Sequence, residues 1–502
     1  MASAATAYHG DELFITGAND RSVSIWRVND KHSTVHEETE PSEDMMFTSL
    51  REFVSYKSVS SRPEYAEDCR RGATFLCTLF KRLGGQVEML SATDRLYNPV
   101  VYAKFSGNLE STEKRKRILF YGHYDVVPAD TKKGKWLSDP FQLRGTNGYL
   151  YGRGVSDNKG PIIAALYAVT DLVQAKRLES DIIFLIEGEE ESGSRGFQET
   201  IRQHQELIGN IDYILLANSY WLDDATPCLT YGLRGVLHAT VCVDSHHPDL
   251  HSGVDGSYMM SEPLSDLTLL LSKLKGPKNK IVIPGFYDGI LPLKAEEDVR
   301  YNDIANLLMK RNPENGPAAT LKASLMARWR EPNLTIHRYK VSGPDGSLVS
   351  SHASANISFR LVPGQEVDDI ISSLVAFLEG QFAELESSNT LSIKIDNKAE
   401  PWLGDPENYI FKTLEEAIVQ VWGMAELNGA ADGDATKGRR PLYIREGGSI
   451  PAIRFLEKQF GAPAAHLPCG QASDSAHLDN ERLRVMNLLK SREIFGVVFR
   501  KL

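Results

Sequence analysis

The sequence predicts an α/β protein with a mostly parallel central sheet, interrupted by a smaller α+β domain. Residues 118–218 alternate between apolar strand-like runs and helix-like runs, which is typical of parallel strands joined by crossover helices. Near Tyr231 the pattern changes to segments such as VLHATVCVDS and NISFRLVP, whose apolar and polar residues alternate as in antiparallel strands. The α/β pattern returns after residue 394 and continues through Val497. The smaller domain is therefore predicted to interrupt a single larger domain.

The N-terminal segment predicts a separate β element. Residues 11–28 form a strand, a turn and an alternating strand that ends in Ile25-Trp26, which resembles the second half of a WD-repeat blade. A lone blade cannot bury its faces, so an isolated β-hairpin is the alternative. We expect the remnant of a propeller whose earlier blades are missing from this chain. Residues 29–44 are polar and acidic, which indicates a linker.

These changes of pattern give five predicted segments. They are a partial WD-repeat blade at 1–28, a linker at 29–44, the first part of the larger domain at 45–231, the smaller domain at 232–394 and the second part of the larger domain at 395–502.

Composition narrows the classes of protein to which the chain can belong. A formal charge of −11 argues against a general nucleic-acid binder, because phosphate affinity depends on basic surface. No apolar run approaches the ~18 residues that span a bilayer. The N-terminus lacks the basic and apolar regions of a secretory signal. The five cysteines are scattered without a CxxC pair, so we expect neither a disulfide framework nor a thiolate zinc site, and a cytoplasmic location.

The segment 117–128, RILFYGHYDVVP, has the pattern of a strand followed by metal-binding residues. Ile118 to Tyr121 are rich in β formers, and His123 and Asp125 follow two residues apart. On a strand both side chains leave from one face. The spacing suits a histidine ligand and a carboxylate that orients it or sits beside the metal.

Two further segments end in carboxylates. Asp157 lies in a glycine-rich turn before a helix-like run from Lys159 towards Lys176. The apolar strand-like run FLIEG is followed by closely spaced acids, which repel one another unless solvent or a cation offsets their charge. These acids are Glu187, Glu189, Glu190 and Glu191. A cation is the better explanation if His123 and Asp157 lie at neighbouring strand ends.

The C-terminal part adds REGGSIP at 445–451 and GQASDSAHLDNERL at 470–483. Together with YGHYDVVP, GRGVSDNKG and EGEEESGS, these motifs resemble the co-catalytic zinc peptidase family of carnosinase, carboxypeptidase G and aminoacylase. The five motifs occur in the family's order, and the resemblance covers about 45–502. It implies that the larger domain is a zinc-peptidase catalytic domain and that the smaller one is a lid and dimerisation domain.

A WD-repeat fragment joined to such a domain is similar to one subgroup. That subgroup is the peptidase-like subunit of the fungal glutathione-degrading complex, which pairs with a glutamine-amidotransferase-like subunit. The resemblance therefore implies a small peptide substrate of the glutathione or Cys-Gly type, a homodimer formed through the lid, and an amidotransferase-like partner.

The resemblance also implies a pair of metal ions. They would be zinc, with manganese as the alternative, about 3.5–4 Å apart. Asp157 would bridge them, with His123 on one ion and with Glu191 and His477 on the other. The full implied ligand set is His123, Asp157, Glu191, His477 and Asn218.

Three residues take catalytic roles by the same resemblance. Asp125 would hold His123 in orientation, and Glu190 would act as the general base that takes a proton from water. His251, in DLHSGVDG of the smaller domain, matches a lid histidine that steadies the tetrahedral oxyanion. The implied substrate contacts are Arg360, Arg445, Gly447, Gly448 and Ser449. An arginine clamp suits a small anionic peptide, and glycines let the backbone approach it.

One position departs from the family pattern. After the strand-like segment IDYILLANSYW the family places an acidic ligand, and here the alignment places Asn218. An amide oxygen can bind a metal but carries no charge, so the site would hold two formal negative charges instead of three. Asp223 and Asp224 lie nearby in the sequence and could compensate.

Two functional hypotheses follow. The first is a dinuclear metal-dependent peptidase of small peptides, acting within a glutathione-degrading complex. The second is a catalytically weakened, peptidase-like scaffold that binds substrate and an amidotransferase partner, with the partner cleaving the bond. Asn218 and the WD-repeat fragment motivate the second. The chain begins Met1-Ala2-Ser3 and so has no N-terminal cysteine nucleophile of its own.

Overall fold

The computed structural model describes residues 3–8, 11–17, 23–28, 42–92, 97–108, 115–129, 135–344, 346–423 and 440–502. The chain divides into two compact units. Unit 1 comprises Met1–Thr230, Gly404–Tyr443 and Phe455–Leu502. Unit 2 comprises Tyr231–Leu403 and Ile444–Arg454.

The helices, in chain order, are α1 (Ser42–Ser55), α2 (Ala66–Arg82), α3 (Gly160–Gln174), α4 (Phe197–Gln203), α5 (Gln205–Ile208), α6 (Pro263–Ser272), α7 (Ala295–Arg311), α8 (Ala318–Trp329), α9 (Val367–Ala383), α10 (Tyr409–Ile418), α11 (Pro451–Phe460) and α12 (Val485–Lys501).

The strands are β1 (Ser3–Tyr8), β2 (Asp11–Gly17), β3 (Val23–Val28), β4 (Gln86–Leu90), β5 (Val100–Phe105), β6 (Arg117–His123), β7 (Arg144–Thr146), β8 (Tyr149–Tyr151), β9 (Asp181–Glu187), β10 (Tyr213–Leu216), β11 (Cys228–Leu233), β12 (Gly235–Asp244), β13 (Leu250–His251), β14 (Asn333–Val341), β15 (Leu348–Val349), β16 (His352–Leu361), β17 (Thr390–Ala399), β18 (Trp402–Leu403), β19 (Leu442–Glu446), β20 (Ala464–His466) and β21 (Arg482–Arg484).

The core of unit 1 is a mixed sheet with the order β20–β10–β6–β9–β5–β4. Its central pairs, β20 with β10, β10 with β6 and β6 with β9, are parallel. Towards one edge, β5 and β4 run antiparallel to their neighbours. Strands β6 and β9 are almost wholly buried, as their continuous apolar runs require for central parallel strands. The predicted α/β fold class is confirmed.

The parallel strands bring their carboxyl ends to one edge of the sheet. Strand β6 ends at His123, β9 at Glu187 and β10 at Leu216, and His123 is in register with Glu187. In open α/β sheets this edge is where binding sites form. Helix α3 begins with Gly160-Pro161, where the missing proline N–H costs no helical hydrogen bond, and its residues are apolar on every side. It is accordingly buried and fixes the loop that precedes it.

The N-terminal strands β1, β2 and β3 form a separate antiparallel sheet in that order. The two strands predicted within residues 11–28 are therefore present, with a third before them. Most of the predicted linker, residues 29–41, lies outside the described residues, and its last three positions belong to α1, which begins at Ser42.

Unit 2 is built on a four-stranded antiparallel sheet with the order β14–β16–β12–β17. In β12 the residues Leu237, Ala239, Val241 and Val243 are buried, and the residues between them are more exposed. The buried face packs against apolar residues of α6 and α9. This alternation is the one that the sequence predicts for antiparallel strands.

None of the described helices combines the length and the apolar composition that a membrane span requires. All five cysteines lie within the described residues and are free thiols.

Candidate metal centre

His123 is held by one ring nitrogen and presents the other to a carboxylate. Its Nδ1 lies 3.1 Å from the backbone oxygen of Asp125 and 3.5 Å from Asp125 Oδ1. Its Nε2 lies 3.1 Å from Asp157 Oδ1. A proton held on Nδ1 by Asp125 leaves the Nε2 lone pair free to bind a metal.

Asp157 lies between two imidazoles. Its Oδ1 faces His123 Nε2, and its Oδ2 lies 3.0 Å from His477 Nε2. It is 7% exposed and sits on the loop between β8 and α3, where its peptide bond to Asn158 is cis. The structure thus brings His123 and His477, which lie far apart in the sequence, together at a single carboxylate.

Asp125 fixes both His123 and the turn that follows β9. Its Oδ1 accepts the backbone N–H of Glu190 at 3.2 Å, and its Oδ2 accepts that of Glu191 at 3.0 Å. The Ser60 hydroxyl donates to Oδ2 at 2.7 Å. One fully buried carboxylate therefore positions an imidazole from one strand end and two glutamates from the next.

Two overlapping groups of side chains could each hold an ion. The first is His123, Glu190 and Glu191, and the second is Asp157, Glu191 and His477. Within each group one ligand atom per residue lies within 4.8 Å of the others. The buried Glu191 Oε1 is 3.1 Å from His477 Nε2, so these two donor atoms face each other. A carboxylate oxygen and an imidazole nitrogen at this separation can bind one cation together.

The electrostatics of the cluster point the same way. Burial raises the pKa of Glu190 well above its ordinary value, and the neighbouring carboxylates of Glu191 and Asp157 raise it further, against the attraction of His123. Burial also raises the pKa of Glu191, although His477 opposes the shift. The contacts with Asp157 and Glu191 raise the pKa of His477 to about 11. Crowded acids that retain protons are groups that a divalent ion can deprotonate and bind.

His477 lies on a strained loop. Ser475, His477 and Asn480 have φ angles of 55°, 64° and 62°, in the left-handed region that non-glycine residues seldom adopt. Its side chain is 51% exposed, in contrast to His123, which is 1% exposed. Strain of this kind persists where surrounding contacts enforce it, and it concentrates at functional sites.

Asn218 follows β10 at the same sheet edge and is 9% exposed. Its side-chain oxygen accepts the backbone N–H of Ser219, and its backbone oxygen lies 2.9 Å from His466 Nε2. The two acids that could compensate accept hydrogen bonds elsewhere. Asp223 accepts the N–H groups of Ala225 and Thr226, and Asp224 accepts that of Ser473. Neither belongs to the two groups of possible ligands found among the described residues.

The remaining residues with predicted roles lie in unit 2. His251 is exposed, and its Nδ1 accepts the N–H of Gly253 at 3.1 Å. Arg360 Nη1 donates to Ser449 Oγ at 3.0 Å. The backbone oxygens of Gly447 and Gly448 accept from the side chain and the N–H of Arg234.

Arg445 has a carboxylate partner within unit 2. It is 4% exposed, and its Nη2 lies 2.8 Å from Glu297 Oε1. The guanidinium also lies over the ring of Tyr231, 5.5 Å from its centroid. A substrate carboxylate would therefore have to compete with Glu297 for this arginine.

Several residues that shape the centre are absent from the candidates predicted from the sequence. Asn158 accepts the His123 N–H at 3.2 Å and donates to the backbone of Ala217. Glu481 accepts N–H groups from the Asp157 loop. Both lie inside motifs that mark the site, GRGVSDNKG and HLDNE, so proximity to a ligand was the available signal. Ser60 lies outside these motifs, so the sequence gives no sign that its hydroxyl donates to Asp125.

Residues 119–500 match the sequence model of the family described as peptidase family M20/M25/M40. This chain belongs to that family. The family resemblance predicted from the motifs is confirmed, and the M20 match includes His123, Asp157, Glu191 and His477.

Individual relatives of this M20 chain agree. It is 37% identical over 523 residues to the probable di- and tripeptidase DUG2 of Saccharomyces cerevisiae, with 98% of this chain and 57% of that protein covered. The chain therefore spans little more than half the length of that relative. It is 30% identical over 472 residues to the Cys-Gly metallodipeptidase DUG1 of Candida albicans, with 89% of this chain and 92% of that protein covered.

The fold is shared with a solved structure. The crystal structure of human carnosine dipeptidase 1 superposes with a TM-score of 0.74 at 28% identity, covering 91% of this chain and 96% of that one.

Proposed function

We propose that this M20-family chain is a metal-dependent hydrolase of small peptides that holds two divalent ions. The observation that carries the proposal is the Asp157 carboxylate, which directs one oxygen at His123 and the other at His477. A carboxylate between two imidazoles, with glutamates beside each, is a donor set for a pair of ions sharing one bridge.

The donor atoms suit zinc, with manganese as the alternative, because imidazole nitrogens and carboxylate oxygens bind both. His123 would hold one ion, with Asn218 as its further ligand after a side-chain rotation away from Ser219. Glu191 and His477 would hold the other ion. When bound, the ions supply Lewis acidity that polarises the scissile carbonyl and acidifies water.

The chain's own residues then carry the proton. Glu190 shares a group of donor atoms with His123 and Glu191, so its carboxylate would lie beside the ions, where a general base is needed. It would take the proton from the attacking water at a carboxylate oxygen and give it to the leaving amine. The Asp125 carboxylate accepts the N–H of Glu190 and faces the ring of His123, so it fixes the position of the base relative to one metal ligand.

The substrate contacts remain proposals. Arg360, next to Ser449, would bind a peptide carboxylate, with Arg445 and the Gly447-Gly448 backbone beside it. His251 would steady the oxyanion. We propose Cys-Gly or glutathione-like peptides as substrates, in keeping with the names of the two yeast relatives.

The assembly is also proposed from the resemblance. We propose a homodimer formed through the smaller domain, a cytoplasmic location, and a glutamine-amidotransferase-like partner. The N-terminal strands would be the remnant of a WD-repeat propeller. The alternative, a scaffold whose partner cleaves the bond, is motivated by Asn218 and the WD-repeat fragment and is not favoured by relatives that are named as peptidases.

The test is to measure metal content and Cys-Gly turnover on the purified chain. We expect two ions per chain, and a loss of turnover of about 10²–10⁴-fold in Glu190→Gln. Glu189→Gln is the matched control, because that carboxylate contacts Arg195 and Asn98 and lies outside both ligand groups. Turnover that appears only after a partner is added would favour the scaffold and overturn the proposal.

A further inference from the structure

Glu481 is a buried carboxylate that the proposed mechanism does not use. It lies four residues after His477 and is 1% exposed. Burying a carboxylate costs several kcal/mol unless hydrogen bonds replace its hydration. Its partners therefore indicate what the position is for.

Within the described part of the chain, the Glu481 side chain makes four hydrogen bonds, and their donors all belong to the loop that carries Asp157. Oε2 accepts Arg153 Nη1 at 2.8 Å and the N–H of Gly154 at 2.9 Å. Oε1 accepts the N–H groups of Ser156 and Asp157, each at 3.1 Å. The carboxylate thus binds the backbone of the central ligand itself.

The backbone around Glu481 repeats the connection. Its carbonyl oxygen accepts the N–H of Gly152 at 3.0 Å. The next residues form β21, which pairs with β8 just before the Asp157 loop. The loop of His477 and the loop of Asp157 are therefore joined by both the side chain and the backbone of Glu481.

We propose that Glu481 is a positioning residue that sets the distance between Asp157 and His477. This inference rests on the proposed metal-dependent function and deepens it. A rigid connection between the loops keeps Asp157 Oδ2 and His477 Nε2 at a separation where one ion can bind both. Residues that orient metal ligands typically change metal affinity 10–100-fold when replaced.

Glu481→Gln is the informative variant, because it keeps the shape and removes one acceptor. The amide oxygen is expected to face Arg153, which carries the positive charge, and the NH₂ group then faces the N–H groups of Ser156 and Asp157. Those two donors lose their acceptor. We expect the dissociation constant for Zn²⁺, measured by chelator competition on metal-free protein, to rise about 10–100-fold.

Asp181→Asn is the matched control. Asp181 is also a buried carboxylate with several cationic partners, Lys104, Arg115 and Arg117 among them. It begins β9, whereas the metal centre lies at the other end of that strand, roughly 20 Å away. We expect this variant to lose thermal stability and to keep its Zn²⁺ affinity within threefold.

A merely structural role for Glu481 predicts a different result. Either of two outcomes overturns the inference: Zn²⁺ affinity within threefold of wild type in folded Glu481→Gln, or an equal loss of affinity in Asp181→Asn. If Glu481→Gln does not fold, Glu481→Asp, which keeps the charge on a shorter side chain, takes its place. An affinity below that of wild type supports the inference, and unchanged affinity overturns it. Failure of the wild-type chain to bind Zn²⁺ would instead contradict the proposed function.

Discussion

Replacing Asp125 with asparagine tests how the centre is organised. The Asp125 carboxylate accepts from Glu190 and Glu191 on different oxygens and faces the ring of His123. An amide offers an acceptor at only one of those two positions. Either Glu190 or Glu191 therefore loses a hydrogen bond to a charged acceptor and meets an NH₂ group instead.

The size of the effect follows from that loss. A hydrogen bond to a charged group contributes about 1.5–3 kcal/mol. At 1.4 kcal/mol for each factor of ten, Asp125→Asn should weaken Zn²⁺ binding about 10–150-fold. The His123 ring keeps its contact with the Asp125 backbone oxygen, so its orientation should be loosened without being lost.

The assay is Zn²⁺ affinity by chelator competition, with Cys-Gly kcat/KM measured at saturating metal. Ser60→Ala removes one neutral donor from the same carboxylate and should cost only about threefold to tenfold, from ~1 kcal/mol. An Asp125→Asn variant that binds Zn²⁺ as wild type does, within threefold, would refute the reasoning.

Three further predictions concern the fold and the site. Phe184→Ala should lower the free energy of unfolding by about 3–5 kcal/mol, because this fully buried ring packs against three other phenylalanines. Chemical denaturation measures this loss, and a loss below about 1 kcal/mol would contradict the packing. Burial raises the pKa of Glu187 from 4.5 to about 8. Between these two pH values the folded chain holds a proton on Glu187 that the unfolded chain has released. The contribution of Glu187 to the free energy of unfolding is therefore fully present below pH 4.5 and is lost as the pH rises through 8. Metal-free Glu187→Gln should lack this pH-dependent contribution to the free energy of unfolding, which amounts to up to ~5 kcal/mol in wild type. If the free energy of unfolding varies with pH in the variant as it does in wild type, the prediction is wrong. Asn218→Asp should raise Zn²⁺ affinity by adding a negative charge beside His123, and unchanged affinity would mean that residue 218 is not a ligand.

The sequence was sufficient for the fold class and for the neighbourhood of the site. Continuous apolar runs in β6 and β9 are typical of strands buried inside a parallel sheet, and the residues at the ends of such strands meet at one edge. His123 stands out because it ends the first of these strands, and Glu190 because it follows the end of the second, Glu187, by three positions.

Contacts between residues that are distant in the sequence could not be predicted from the local sequence pattern. Arg445 was predicted to hold substrate, but nothing local in REGGS indicates that Glu297 occupies its guanidinium. Asp223 accepts a hydrogen bond from the N–H of Thr226, and the sequence around Asp223 does not show that its carboxylate is engaged in this way. Glu481 lies in the same motif as His477, but the motif alone does not show that the pairing of β21 with β8 brings this carboxylate against the Asp157 loop.

The most direct test is a crystal of the metal-loaded chain, with anomalous scattering recorded at the zinc edge. We predict two peaks, one on each side of the Asp157 carboxylate, the first against His123 Nε2 and the second against His477 Nε2. A single peak, or peaks that do not touch Asp157, would contradict the claim that this carboxylate joins two ions.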